Sequence, residues 1–327
     1  MARPFKGSIV RPARGSLCLA LLLVVSCSHS PRRNQAIEEQ PAAPVSILVE
    51  REISGSLLGK PLQRPFALAV DKRGTLYVCD AGNNRIVKFS PKLEAVADVG
   101  GFGVTEGLFN RPTFISVDND LNLLVSDVGN RRICRFNSQL QYVESVRFFD
   151  DQEPLKFGYS SGVAVTDYGE IWVADQERNC VVVFSPTGRF ERFVGDFGYA
   201  GGQLHNPEKI VTDSSGNFVV CDAGNRRLAW YDAYGNYLRQ IEDEELQYPV
   251  AASPDGNRTW VLDRDKGRIV LFDDDGHRIF AAGPAIAGSA RALRQPSDVT
   301  SLPDGRLVIA DTDNHRLLVC RVIFDRP

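Results

Sequence analysis

The chain has 327 residues, 43% of them hydrophobic, and a formal net charge of -3. Beyond the N-terminus no apolar run approaches the length of about 20 residues that a membrane-spanning helix needs, so the composition describes one large soluble domain or two small ones. A balance this close to neutral excludes a global electrostatic pull toward nucleic acid or anionic membrane, and any charged partner must be met by a local patch.

Residues 1–14 carry Arg3, Lys6, Arg11 and Arg14 with no acid, and residues 15–26 are apolar over a length too short to span a bilayer. This predicts a secretory signal peptide over 1–26. It ends in Leu23-Val24-Val25-Ser26-Cys27, which resembles a bacterial lipobox. The resemblance implies that Cys27 becomes the lipidated N-terminus; Cys18 is poorly placed for that role. An ordinary signal peptide with an incidental cysteine is the competing reading. Several acyl chains on Cys27 would hold a membrane stably, at about 0.8 kcal/mol per buried CH₂. Ser28 in place of Asp resembles lipoproteins forwarded to the outer membrane. The expected location is therefore the bacterial cell envelope, on the periplasmic face of the outer membrane or at the cell surface. Residues 27–44 are polar and Pro-containing without periodicity, and predict a flexible tether.

From residue 45 onward the chain repeats itself. LYVCDAGNNRIVKF from Leu76 has close relatives in LLVSDVGNRRICRF from Leu123, FVVCDAGNRRLAWY from Phe218 and LVIADTDNHRLLVC from Leu307. Worn copies begin at Ile171 and Trp260. The repeated aspartates Asp80, Asp127, Asp175, Asp222, Asp263 and Asp311 recur at nearly equal intervals, only the step from Asp222 to Asp263 being shortened. Their spacing is that of propeller blades, roughly 40–50 residues each. A second landmark keeps the same register: Pro65, Pro112, Pro207 and Pro296 stand at one constant distance before their aspartates and Pro249 one position nearer, with Ser160 in the third copy. Each unit predicts four short strands, in the first copy a near 66–70, b near 75–79, c near 85–89 and d near 95–99, with turn residues between them.

The Asp, the Asn three residues on and the Arg five residues on resemble the consensus of the NHL repeat family over roughly residues 45–327. The resemblance implies an all-β fold, a six-bladed β-propeller. The last copy stops after strand c, and residues 46–53 precede the first copy as an extra strand. That strand is expected to complete the sixth blade as a latch, closing the ring and removing an exposed edge.

In the family's blade order the b–c hairpins and d–a links share one face, called the top here, and the a–b and c–d turns share the other. Asp80, Asn83 and Arg85, with Asp127, Asn130 and Arg132, Asp222, Asn225 and Arg227, and Asp311, Asn314 and Arg316, are expected to clamp the top hairpins, the carboxylate pairing the guanidinium across the turn. Function is sought instead where the copies differ. The position between Asn and Arg varies (Asn84, Arg131, Asn179, Arg226, Gly267, His315), and its side chains are expected to face solvent. Arg131, Arg178, Arg226, Lys266 and His315 form the candidate ligand face. The bottom turns carry Asp71, Asp118, Asp213, Asp255, Asp304 and the Asp273-Asp274-Asp275 run, so a basic top and an acidic bottom are weighed against simple turn capping.

Metal chemistry finds no support in the spacing. The Asp273-Asp274-Asp275-Gly276 run does not alternate ligands as a calcium loop does, and His205, His277 and His315 fall at three different repeat positions. The zinc-binding lyase domain of peptide-amidating enzymes and the sugar lactonases have similar propellers, but no matching metal set is found, so no cofactor is expected. Cys79, Cys134, Cys180, Cys221 and Cys320 show no paired spacing; Cys134 with Cys180 is the one combination in neighbouring blades worth testing. The expected function is a membrane-anchored, monomeric binding or scaffold module for a protein, peptide or polysaccharide. The alternative is a hydrolase or lyase with a metal-dependent site in the central channel. Nucleic acid, gripped by NHL modules of animal tripartite-motif proteins, is not expected of an exported chain.

Overall fold

The computed structural model describes residues 44–324 apart from 148, 151–152, 155–159 and 167. The expected signal peptide, Cys27 and nearly all of the expected tether lie outside the described residues.

Six four-stranded antiparallel sheets carry almost the whole of this region. Blade 1 is strand a Pro65–Val70, b Leu76–Asp80, c Arg85–Phe89 and d Ala95–Gly100. Blades 2 to 5 repeat that order, with strands a at Pro112–Val117, Ser160–Val165, Pro207–Thr212 and Pro249–Asp255. Blade 6 has strand a Asp298–Ser301, b Leu307–Asp311 and c Arg316–Phe324. Its outer strand is Pro44–Ile53, which pairs antiparallel with strand c from Ile53 opposite Leu317 to Pro44 opposite Phe324. The ring is thus closed by the N-terminal strand.

Burial follows strand position more than residue alternation. Strands b and c are covered on both faces by neighbouring blades, so LYVCD and FVVCD are buried at every position and read as continuous apolar runs. Strand d of blade 1 is outermost and alternates between half-buried and exposed side chains. The core is a set of seams between blades. Trp172 of blade 3 stacks on Phe218 of blade 4 with ring centroids 3.9 Å apart. The closing seam joins Leu68, Val78 and Val87 of blade 1 to Val308, Leu317 and Val319 of blade 6, with Ile53 of the latch against them. Burying each such side chain stabilises by roughly 1.5–3 kcal/mol, so closure rests on the same physics as every other seam.

The turns obey local hydrogen bonding. In the first a–b turn Asp71 Oδ1 accepts from the N–H groups of Arg73 (2.9 Å) and Thr75 (2.8 Å), while Gly74 supplies the left-handed φ of 80°. Asp118, Asp213, Asp232, Asp273 and Asp304 accept backbone N–H groups in their own turns in the same way. At least this part of the acidic bottom face is turn capping.

Candidate functional site

Each intact clamp binds more than its own hairpin. Asp80 Oδ2 accepts from Asn83 Nδ2 (2.8 Å) and Arg85 Nε (2.7 Å), and its Oδ1 accepts from the Gln63 N–H (2.7 Å) in the link entering the blade. Asn83 also donates to the Pro61 carbonyl and Arg85 to those of Leu57 and Lys60. Blades 2, 4 and 6 repeat the arrangement, with Asp127, Asp222 and Asp311 accepting from the N–H groups of Asn110, His205 and Arg294. The link passes so close that a Cβ on Gly82, Gly129 or Gly224 would stand 2.5 to 2.7 Å from its carbonyl oxygens, which explains the glycine of the DAGN and DVGN motifs. The four aspartates are fully buried, Asp80, Asp127, Asp222 and Asp311 being at 0% exposure, while the asparagines are half-buried and Asn225 Oδ1 has no partner among the described residues.

The worn copies use substitutes. Cys180 replaces the arginine of blade 3, and Asp175 takes Arg178 Nη1 at 3.1 Å together with the N–H groups of Glu177 and Arg178. In blade 5 Arg268 turns to Glu245, and Asp263 accepts from the Gln247, Tyr248 and Lys266 N–H groups. Arg178 and Lys266 are thereby engaged within the domain, Lys266 also donating to the Glu244 carbonyl and Glu245.

The variable position after Asn is left-handed in all six blades, with φ between 52° and 58°, a conformation that Asn and His tolerate better than most side chains. Three of its side chains have structural work that sequence reasoning missed. Asn84 accepts from the Arg111 N–H (2.8 Å), Asn179 from the Asn206 N–H (2.8 Å) and His315 Nδ1 from the Arg64 N–H (3.1 Å), so each joins its blade to the next. Arg131 and Arg226 differ. Both are exposed, and neither guanidinium has a hydrogen-bond or ion-pair partner among the described residues.

The Asn before each of these two arginines holds its hairpin against a link that carries an exposed apolar pair, while Arg226 itself faces the following link, beside Glu242, Asp243 and Glu244. Asn130 donates to the Gly103 carbonyl and Asn225 to that of Gly198, setting the hairpins against links that carry Phe102 and Val104 in one case and Phe197 and Tyr199 in the other. All four are exposed, from 55% to 75%. The two links share a frame, Phe102 bridging Phe109 and Phe197 bridging Leu204, and in the second the rings of Phe197, Tyr199 and His205 meet edge to face at 5.4 to 6.0 Å. The F-G-x sequences of these links are the signal that could have revealed the pads.

The channel breaks the sixfold pattern. Strand a of blade 4, PEKIVT, carries Glu208 and Lys209 where the other copies are apolar or small, and Asp298 stands at the same level of blade 6. Lys209 Nζ lies 2.5 Å from Asp298 Oδ1, past the intervening blade 5, and Asp298 Oδ2 accepts from the Leu68 N–H of blade 1 at 2.7 Å. Burial pushes the Asp298 carboxyl up and Lys209 opposes it. Burial also raises Glu208, which sits 3.6 Å from Arg264 and bonds Tyr248 and Gln176. No group of three His, Cys, Asp or Glu side chains placed to hold a metal occurs among the described residues. The cysteines Cys79, Cys134, Cys180, Cys221 and Cys320 are all free and buried, and burial pushes the thiols of Cys134 and Cys180 to about 11 and about 12.

A family described as NHL repeat matches residues 62–89 and 293–320, and one described as 6-bladed beta-propeller matches 116–268. The chain carries NHL repeats in a six-bladed β-propeller. Protein brain tumor of Drosophila melanogaster is 29% identical over 131 residues, 39% of this chain and 13% of that protein. B-box type zinc finger protein ncl-1 of Caenorhabditis elegans is 30% identical over 125 residues, 37% and 15% of the two lengths. The matched part of the NHL propeller is thus a small fraction of either relative. Among solved structures a streptogramin B lyase superposes with TM-score 0.59 at 12% identity, covering 86% of this chain and 100% of that one. Virginiamycin B lyase from Staphylococcus aureus gives 0.56 at 13%, covering 81% and 82%. A chain of a nidogen/laminin complex gives 0.56 at 16%, covering 74% and 92%. At these identities the likeness establishes the fold alone.

Proposed function

We propose that the NHL propeller is a recognition module that grips a protein partner on its top face through two pads, Phe102, Val104 and Arg131 on blade 2 and Phe197, Tyr199 and Arg226 on blade 4. The observation that carries the reading is the occurrence, on one face, of exposed aromatic side chains and of two arginines that have no partner among the described residues, while the other functional-looking residues of that face are consumed by the clamps. Aromatic residues and arginine dominate binding hot spots because they combine large contact area with directed hydrogen bonding. Exposed apolar groups grouped in this way are otherwise a cost to a soluble domain. A propeller of this fold occurring in a nidogen/laminin complex fits the reading.

The same proposal places the module at a membrane surface, held by a lipidated Cys27 through a short polar tether, which would let the disc reach partners in the envelope without a spanning helix. The lipobox-like residues Leu23 to Cys27 support that placement.

Affinity capture from the native envelope with the intact protein and with the variant Arg131→Glu/Arg226→Glu tests the pads. The variant is expected to keep its thermal midpoint, since both side chains are exposed and have no partner among the described residues, and to lose its specific protein partners. Unchanged capture would remove the top-face reading, and capture of glycan alone would replace the protein partner with a polysaccharide.

A further inference from the structure

The six strands a enclose a cavity of about 560 Å³ that runs from the bottom turns up to Lys209. This lies within the roughly 300–1,000 Å³ of small-molecule sites. Its lining reaches the a–b turns at Asp71, Lys72, Asp255 and Gly305, and its inner end is Lys209; Glu208 and Asp298 do not reach it. The cavity therefore opens toward the face opposite the two pads.

Lys209 is 7% exposed, and its ammonium carries three N–H donors. Asp298 Oδ1 takes one, and the others have no acceptor among the described residues. Asp298 meets Lys209 through Oδ1 alone, which also accepts from the Val299 N–H, while Oδ2 accepts from the Leu68 N–H. Donors so deeply placed are costly unless something accepts from them. Nearer the mouth the wall is valine on three consecutive blades, Val70, Val117 and Val165, and hydroxyl-bearing at Thr212 and Ser301.

We infer that this cavity is a binding site for a small uncharged molecule with an apolar body and a carbonyl or hydroxyl oxygen directed at Lys209. The charge of the head group follows from the pair. Lys209 is already neutralised by Asp298, so a carboxylate would arrive as an unmatched buried anion beside Asp298, and an ammonium would meet Lys209 as a like charge. A neutral acceptor satisfies the free donors at no such cost. The site is independent of the pads, because it opens on the opposite face and shares no residue with them.

Saturation-transfer NMR on the full chain, with cyclohexanone, cyclohexanecarboxylate and cyclohexylammonium as probes, keeps the ring constant and varies the head. Cyclohexanone is expected to bind at least about tenfold more tightly than either ion, the factor set by one unmatched partly buried charge. Val165→Phe, which fills the wall and leaves the Lys209–Asp298 pair intact, is expected to abolish its signal. Lys209→Met is expected to erase the preference among heads. Because that variant leaves Asp298 unpaired and could fail to fold, Val165→Phe carries the test alone in that event. Absence of binding by any probe, equal binding of the carboxylate, or cyclohexanone binding that survives Val165→Phe would overturn the site.

Discussion

Arg227 makes the fullest use of a guanidinium in the domain. Its Nε bonds Asp222, and its terminal nitrogens bond the carbonyls of Tyr199, Ala200 and Gln203 and the Gln240 side chain. Removing it strands a carboxylate that burial already pushes up, and leaves the carbonyls of the link between blades 3 and 4 without their donor. Arg227→Ala is therefore expected to destabilise by about 3–5 kcal/mol, as loss of one partner from a buried pair does. Arg268→Ala is the control: it occupies the same repeat position, its side chain is 36% exposed and its partner is Glu245, so its loss is expected to cost less than ~1 kcal/mol. Denaturant unfolding of the two variants checks the contrast, and equal losses would show that the clamp carries no special weight.

At the scale of the element, the latch is tied to the last clamp by charge as well as by backbone pairing. Glu52 accepts from Arg316 Nη1 at 2.7 Å and lies 3.1 Å from Arg291. Burial raises the Glu52 carboxyl, but the bond to Arg316 and the charges of Arg316 and Arg291 outweigh it, leaving its pKa below the ordinary value. A carboxylate depressed in the folded state contributes stability that is present above its unfolded pKa and lost as pH falls through the folded one. The difference in thermal midpoint between the wild type and Glu52→Gln is thus expected to be full at neutral pH. It should shrink as pH drops below 4.5, the ordinary value for this group. A gap that stays constant through that range would show that Glu52 does not titrate with the latch.

The propeller, taken as a whole, has two dissimilar faces. Pro44 begins the strand that closes blade 6, and the proposed lipidation site, Cys27, lies upstream of it in the chain. Cys27→Ala is expected to move the protein from the membrane fraction to the soluble fraction without changing its thermal unfolding. Continued sedimentation with membranes would refute lipid anchoring. Circularity also explains why the top face can carry two separate pads: a closed ring holds blades 2 and 4 rigidly, whereas an open array would let them move apart.

The architecture is legible in the sequence because a blade is a local unit. Asp, Asn and Arg at fixed offsets, a proline at a near-constant distance upstream and apolar strands between turns are all short-range patterns, and their sixfold recurrence leaves little alternative to a propeller. The sequence even identified the closing strand, since the last copy lacks what residues 46–53 supply. Tertiary structure decided what each conspicuous residue is for. Arg131 and His315 occupy one repeat position, yet His315 Nδ1 accepts the Arg64 N–H of the next link, a bond that a guanidinium, which has no acceptor, cannot make. Phe102 and Phe197 stand in solvent on links held to the top hairpins through the Gly103 and Gly198 carbonyls. Lys209 and Asp298 lie 89 residues apart and meet because closing the ring brings strands a of different blades around one axis, a relation that no local pattern encodes.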